Sequence, residues 1–327
     1  MKLNISPFIG QHCETTATGT LLEQLGIKMS EPMLFGLGEG LGFIIWNMKT
    51  IDFPFIGGRI KTDLMTKNIA KNLGLKLIVK ETTSANKAWS SVKELLDNNK
   101  AVGLKLDCYH LEYFSNPIHF AGHYVAIIGY DETYSYLIDT AQQGTSVKTS
   151  LASLEKARSE KGPMSSKNLY YTLDKTEDIV TIKDAVINAI KNNALAYLNP
   201  PIKNLTYKGI IKASDEIIKW FDTSKNIREE FNTSAMLMER AGTGGAIFRN
   251  LYRDFLKEAG EITQNEIVYK THDLFNQVAS DWSNVIELFE NIGQTQDKKY
   301  VLLASKLMKD ISTKEKYAME QLLTVTN

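Results

Sequence analysis

His123-Tyr124-Val125-Ala126-Ile127-Ile128-Gly129-Tyr130-Asp131, with Ser135-Tyr136-Leu137-Ile138-Asp139-Thr140 close behind it, is where a reading of this chain starts. β-Branched and aromatic residues fill both runs, and a short polar turn separates them, so they read as two strands of a hairpin. In an antiparallel pair the start of one strand lies beside the end of the next. His123 and Asp139 therefore come within reach of each other on rigid backbone. An imidazole whose tautomer is held by a carboxylate is a general base.

A base needs a nucleophile, and the stretch Phe8-Ile9-Gly10-Gln11-His12-Cys13-Glu14-Thr15-Thr16 offers one. Cys13 stands ahead of a helical run, Ala17 to Leu25, which Gly26 ends. Unpaired N–H groups and a partial positive charge at a helix start favour thiolate over thiol. For Cys13 alone, a small buried residue at a helix start is the simpler account. The ordered set Cys13, His123, Asp139 favours chemistry. His12, next to the thiol, is expected to point away from it in a structural or substrate-contact role.

Between these stretches the pattern alternates. Phe43 to Trp46 reads as a strand leading into a loop with Pro54 and Gly57-Gly58-Arg59. Asp63 to Leu73 reads as a helix, Leu75 to Val79 as a strand, Ala85 to Asn98 as an amphipathic helix, and Ala101 to Leu106 as a strand. Leu154 to Arg158 and Leu169 to Leu173 close a first domain, residues 1–173, of α+β class. Beyond it, residues 174–327 carry almost only helical signal. Helices are expected over Ile182–Tyr197, Lys208–Phe221, Ile227–Glu239, Gly245–Ala259, Gln264–Leu288 and Lys298–Leu323, an all-α domain. The last helix is free to dock back or to mediate a homo-oligomer.

The run Ser30 to Phe43 holds glycines at G-x-G-x-G-x-G spacing, which is neither the dinucleotide fingerprint nor a P-loop. It is expected to be a loop of close backbone packing or of substrate contact. Hydrophobic residues make up 43% of the chain, enough for two cores, while 38 basic and 38 acidic side chains leave no formal net charge. That balance gives no footprint for nucleic acid, and no basic amphipathic segment reads as a membrane anchor. Two cysteines, Cys13 and Cys108, do not make a disulfide framework, and a reducing cytoplasm fits them. The first residues lack a signal-peptide pattern, and no apolar run reaches spanning length. Cys108-Tyr109-His110 with His119 and His123 has metal-like spacing, but an ion there would consume the proposed base, so no metal is expected.

Helix-borne Cys, H-Y-V-A-I-I-G-Y-D and L-I-D-T, in that order, resemble the papain-like superfamily. Gly10-Gln11-His12-Cys13-Glu14-Thr15, the Ser30 to Gly42 stretch, Gly57-Gly58-Arg59, His119-Phe120-Ala121-Gly122-His123 and Gly162-Pro163 narrow this. Together they resemble the butirosin biosynthesis protein H N-terminal family. Glu239-Arg240-Ala241-Gly242-Thr243-Gly244-Gly245 and Phe248-Arg249-Asn250-Leu251-Tyr252 are similar to the helical domain of unknown function that follows in such proteins.

The resemblance implies acyl transfer from an acyl carrier protein, or another thioester donor, to a small-molecule amine. It implies no cofactor of the enzyme's own, since 4′-phosphopantetheine enters only as part of the carrier. A cysteine peptidase or amidase using water and a non-catalytic binding module on the same fold are the competing readings. Papain-like enzymes place a glutamine upstream of the cysteine as an oxyanion donor. Pro7 stands there and donates nothing, so Gln11 is the candidate substitute beside the Cys13 N–H. Glu39, Arg59 and His119 are candidates to line the pocket. Thr243, Gly244 and Arg249 are candidates to receive a phosphate of the carrier's arm.

Overall fold

The computed structural model describes residues 1–47, 53–115, 118–162, 165–177, 180–240 and 245–326. In chain order the first elements are α1 (Cys13–Gln24), α2 (Glu31–Leu37), β1 (Leu41–Trp46), β2 (Phe55–Arg59), α3 (Leu64–Asn72), β3 (Lys76–Lys80) and α4 (Ala85–Asp97). Then come β4 (Val102–Leu106), β5 (His123–Tyr130), β6 (Tyr134–Ile138), β7 (Ser146–Ser150), α5 (Leu151–Ser159) and β8 (Tyr170–Asp174). Six helices follow: α6 (Ile182–Leu198), α7 (Thr206–Thr223), α8 (Ile227–Arg240), α9 (Gly245–Thr263), α10 (Glu266–Thr295) and α11 (Lys298–Leu322). The α+β class expected from the sequence is the class observed.

These elements form two compact units, the first made of residues 1–34 and 62–179, the second of 35–61 and 180–327. The domain boundary therefore differs from the expected cut after residue 173. β1 and β2 pair with each other and belong with the helices, not with the larger sheet. A strand's local pattern shows that it needs a cover but not which cover it will find. Two further local readings change. The glycine-bearing stretch begins as helix α2 rather than a loop, and Gly57-Gly58-Arg59 lies inside strand β2. β7 is an element the sequence reading did not anticipate.

In the first unit the strand order is β3-β8-β4-β5-β6-β7, all neighbours antiparallel. β5 is buried along nearly its whole length, as a central strand covered on both faces must be. α1 packs on it. This helix is buried almost all round, although four of its side chains are threonines. Thr16 and Thr20 satisfy their hydroxyls on the carbonyls of His12 and Thr16, at 2.8 and 2.9 Å, which lets polar side chains enter a core. Gly26, at φ 74°, ends the helix in the left-handed region that favours glycine.

The second unit is built on α10, which packs against α8, α9 and α11, while α11 packs against α6 and α7. Asn265 and Asp297 cap α10 and α11 by accepting the N–H groups of Ile267 and Lys299. The β1–β2 hairpin gives this unit aromatic contacts of its own, with Phe43 stacked on Trp282 at 5.7 Å. Among the described residues no helix is long and apolar enough to cross a membrane.

Candidate active site

Cys13 is the first residue of α1, and His12, in extended conformation, is its N-cap. The turn before the thiol is held by one carboxylate. Glu31, from the first turn of α2, accepts the N–H of Gln11 at 2.8 Å, the N–H of His12 at 2.8 Å and the Thr15 hydroxyl at 2.8 Å. A buried carboxylate so satisfied fixes where the helix starts, and with it where the sulfur points. Glu31 is a residue the sequence reading missed. Its signal was the sequence Ser30-Glu31-Pro32, where an acidic residue precedes a proline at a helix start.

His123 begins β5, paired to Leu106 of β4. β6 pairs with β5 through Ala126–Ile138, so continuing the ladder sets Asp139 opposite Val125. Residues two apart share a face, and His123 and Asp139 become diagonal neighbours. His123 Nε2 lies 2.8 Å from Asp139 Oδ2. The other ring nitrogen is left for the thiol, and Cys13 is near enough to His123 to raise its pKa. The three residues expected to act together are thus brought together, a helix-borne thiol against a sheet-borne base.

The electrostatics favour a charged base. Burial works to lower the His123 pKa, but the Asp139 carboxylate and the neighbouring Cys13 outweigh it and hold it well above the ordinary histidine value. Asp139 is fully buried and its oxygens are occupied: the Thr140 N–H donates to Oδ1 at 2.7 Å, and the Tyr113 hydroxyl to Oδ2 at 2.8 Å. Tyr113 was not anticipated. Its neighbour Phe114 sets its ring edge-on to His123, centroids 5.4 Å apart. Both come from the loop between β4 and β5, where no periodicity marks a contact. Cys108 is the contrasting thiol, pushed by burial up to about 11 and donating to the Ile118 carbonyl.

The remaining candidates separate. Gln11 is exposed beside the thiol, and its backbone N–H is spent on Glu31. His12 is buried, its N–H also on Glu31, in keeping with a structural role. His119 is exposed and bonded to Asp107. The metal-like spacing of Cys108, His110, His119 and His123 does not make one cluster, because His123 turns to Asp139 and Cys108 to a backbone carbonyl.

Glu39 and Arg59 belong to the second unit, where Glu39 accepts the Asn192 amide at 3.0 Å and Arg59 donates to the Ile60 carbonyl at 3.2 Å. Arg249 requires a correction as a phosphate contact. It is fully buried, with its guanidinium on both oxygens of Glu315 and on the Gly58 carbonyl, so it is closed off from an anion arriving from solvent. Thr243 and Gly244, like Pro163, lie outside the described residues.

Comparison with known proteins gives two family matches. The model described as butirosin biosynthesis protein H, N-terminal, matches residues 12–140, and the domain of unknown function DUF4872 matches residues 152–322. No curated protein matches the chain significantly. Among solved structures, one described as a C39-like peptidase from Bacillus anthracis aligns at 16% identity. That alignment covers 54% of this chain and 100% of that one, with a TM-score of 0.38.

Proposed function

The chain belongs to the DUF4872 family, and because its residues 12–140 match the butirosin biosynthesis protein H N-terminal model, we propose that it is a cysteine-dependent acyltransferase. It forms an amide from a thioester donor, such as an acyl carrier protein, and a small-molecule amine. The observation that carries this reading is the meeting of Cys13, His123 and Asp139 on α1, β5 and the end of β6.

In this scheme the Cys13 thiolate attacks the donor's carbonyl carbon. The bond from that carbon to the carrier sulfur breaks, and the carrier thiol leaves with the proton of the His123 imidazolium. The acceptor amine then attacks the Cys13 thioester, gives its proton to His123, and the carbon–sulfur bond to Cys13 breaks. Asp139 holds the ring and its charge through both steps. The Cys13 N–H, at an unpaired helix start, is the first oxyanion donor. No cofactor takes part, and phosphopantetheine belongs to the carrier.

Hydrolysis would pass through the same acyl-enzyme, with water in place of the amine. Incubating the chain with an acyl-carrier thioester and an excess of amine separates the two. Amide product with an acyl adduct on Cys13, both absent from Cys13→Ala, is the expected result. Free acid alone would make the protein a hydrolase, and full turnover by Cys13→Ala would end the cysteine mechanism.

A further inference from the structure

The loop from β4 to β5 carries a second group of chemistry-bearing side chains, apart from Cys13, His123 and Asp139. One donor atom from each of His110, His119 and Glu160 lies within 4.8 Å of the other two. His110 Nε2 is 2.5 Å from Glu160 Oε2. His119 Nδ1 is 3.2 Å from Oδ2 of Asp107, whose side chain is only 3% exposed. Asp107 is itself pinned, its Oδ1 accepting the N–H groups of Tyr109 at 2.9 Å and Phe120 at 3.0 Å. The Tyr109 ring stacks on His119 at 3.8 Å and fixes its plane. A surface ion pair would need only His110 and Glu160. It does not account for a second imidazole, oriented by a buried carboxylate, at the same point.

We propose that His110, His119 and Glu160 bind a divalent transition-metal ion, with zinc the best fit, and that Asp107 orients His119 from behind. Two imidazole nitrogens and one carboxylate oxygen are a zinc donor set that leaves one position open. A carboxylate on Nδ1 leaves Nε2 as the ligating atom, the arrangement metal-bound histidines commonly use. Tetrahedral donors around zinc stand ~3.3 Å apart, so the three must draw together. His119 and Glu160, 59% and 31% exposed at the side chain, have room to do so. The ion takes the place of the hydrogen bond between His110 and Glu160.

The site shares no ligand with the Cys13 centre and leaves His123 its role as base. His110 and His119 flank the segment that carries Tyr113 to Asp139 and Phe114 to His123. Glu160 follows the last residue of α5. The ion therefore clips the loop that shapes the base to a helix end.

The test uses the full chain with Cys13→Ala, which removes the competing thiolate, after treatment with a chelator. Zn2+ is titrated by calorimetry and Co2+ by absorption. One ion per chain is expected, with cobalt ligand-field bands and no thiolate charge-transfer band. His119→Ala in that background should weaken binding at least tenfold while the metal-free chain stays folded by circular dichroism, since this side chain is exposed. Glu160→Gln should weaken it as well. The proposal is overturned if no stoichiometric ion binds, if His119→Ala binds as tightly, or if cobalt shows a thiolate band.

Discussion

At Asp139 one carboxylate serves two donors on the same oxygen, the imidazole of His123 and the hydroxyl of Tyr113. The Tyr113 bond steadies the carboxylate that steadies the base, which makes Tyr113 a positioning residue. A hydrogen bond to a charged group contributes ~1.5–3 kcal/mol, so Tyr113→Phe should slow acyl-enzyme formation by roughly tenfold or more. Stopped-flow single turnover would measure it, and an unchanged rate would free Tyr113 of this role.

The pH dependence carries a definite sign. His123 is raised in the folded state against the pull of burial, by Asp139 and Cys13. Its stabilising contribution is complete below the unfolded histidine value of about 6.5 and is lost as pH rises through the raised folded value. The alkaline limb of acyl-enzyme formation should therefore lie well above the ordinary histidine range. Asp139→Asn removes a cause of the rise, so that limb should move to lower pH. A limb that stayed in place would remove Asp139 as the cause. The two strands behind this pair were legible from β-branching and a polar turn. Tyr113 was not, because a loop residue's partner is decided by tertiary approach alone.

Among the elements, the wedge of β4, β8 and α1 decides how the thiol-bearing helix sits. Gly103 in β4 faces the ring of Tyr171 in β8, and a Cβ there would stand 2.1 Å from the ring's Cζ. The Tyr171 hydroxyl is in turn 3.1 Å from Thr18 Oγ1 on α1. Gly103→Ala must push the ring towards the helix that begins with Cys13. Overpacking of this kind costs ~1–3 kcal/mol, to be read from the urea midpoint, with a slower Cys13 acylation beside it. An unchanged midpoint would mean the sheet yields instead. Helix positions in this chain were readable from apolar spacing and caps. Helix α2 was hidden by its glycine, whose place is set by a ring 2.1 Å from its would-be Cβ, that of Phe255, far along the chain.

On the scale of the whole molecule, each unit has a core of its own, and the second is tied at one buried ion pair. Glu315 of α11 accepts Arg249 of α9 twice, at 2.8 and 2.9 Å, Trp282 Nε1 of α10 at 2.8 Å, and the Tyr197 hydroxyl of α6. Arg249 also donates to the Gly58 carbonyl of β2 at 2.9 Å. Five elements meet at two side chains with no exposure to water. Breaking such a pair leaves an uncompensated buried charge, so Glu315→Gln should cost ~3–5 kcal/mol. Urea unfolding followed by tryptophan fluorescence should report it through Trp282. Replacing both partners with apolar residues should restore much of the loss, and a single-variant cost near zero would contradict the buried pair. Nothing in Arg249's sequence surroundings, a basic residue after glycines, distinguished this role from anion binding.

The tie between Gly58 and Arg249 spans 191 residues. A ribosome adding ~5–20 residues per second needs roughly 10 to 40 s to cover that distance. For the first part of that interval, until α6 and α7 have been made, the β1–β2 hairpin exists without the helices that cover it, and a lone two-stranded hairpin is marginal in water. The nascent chain thus carries an open strand pair past the synthesis of the whole second stretch of the first unit. Its exposure to chaperones and to aggregation is a property of the order of elements, set before any helix of the second unit has left the ribosome.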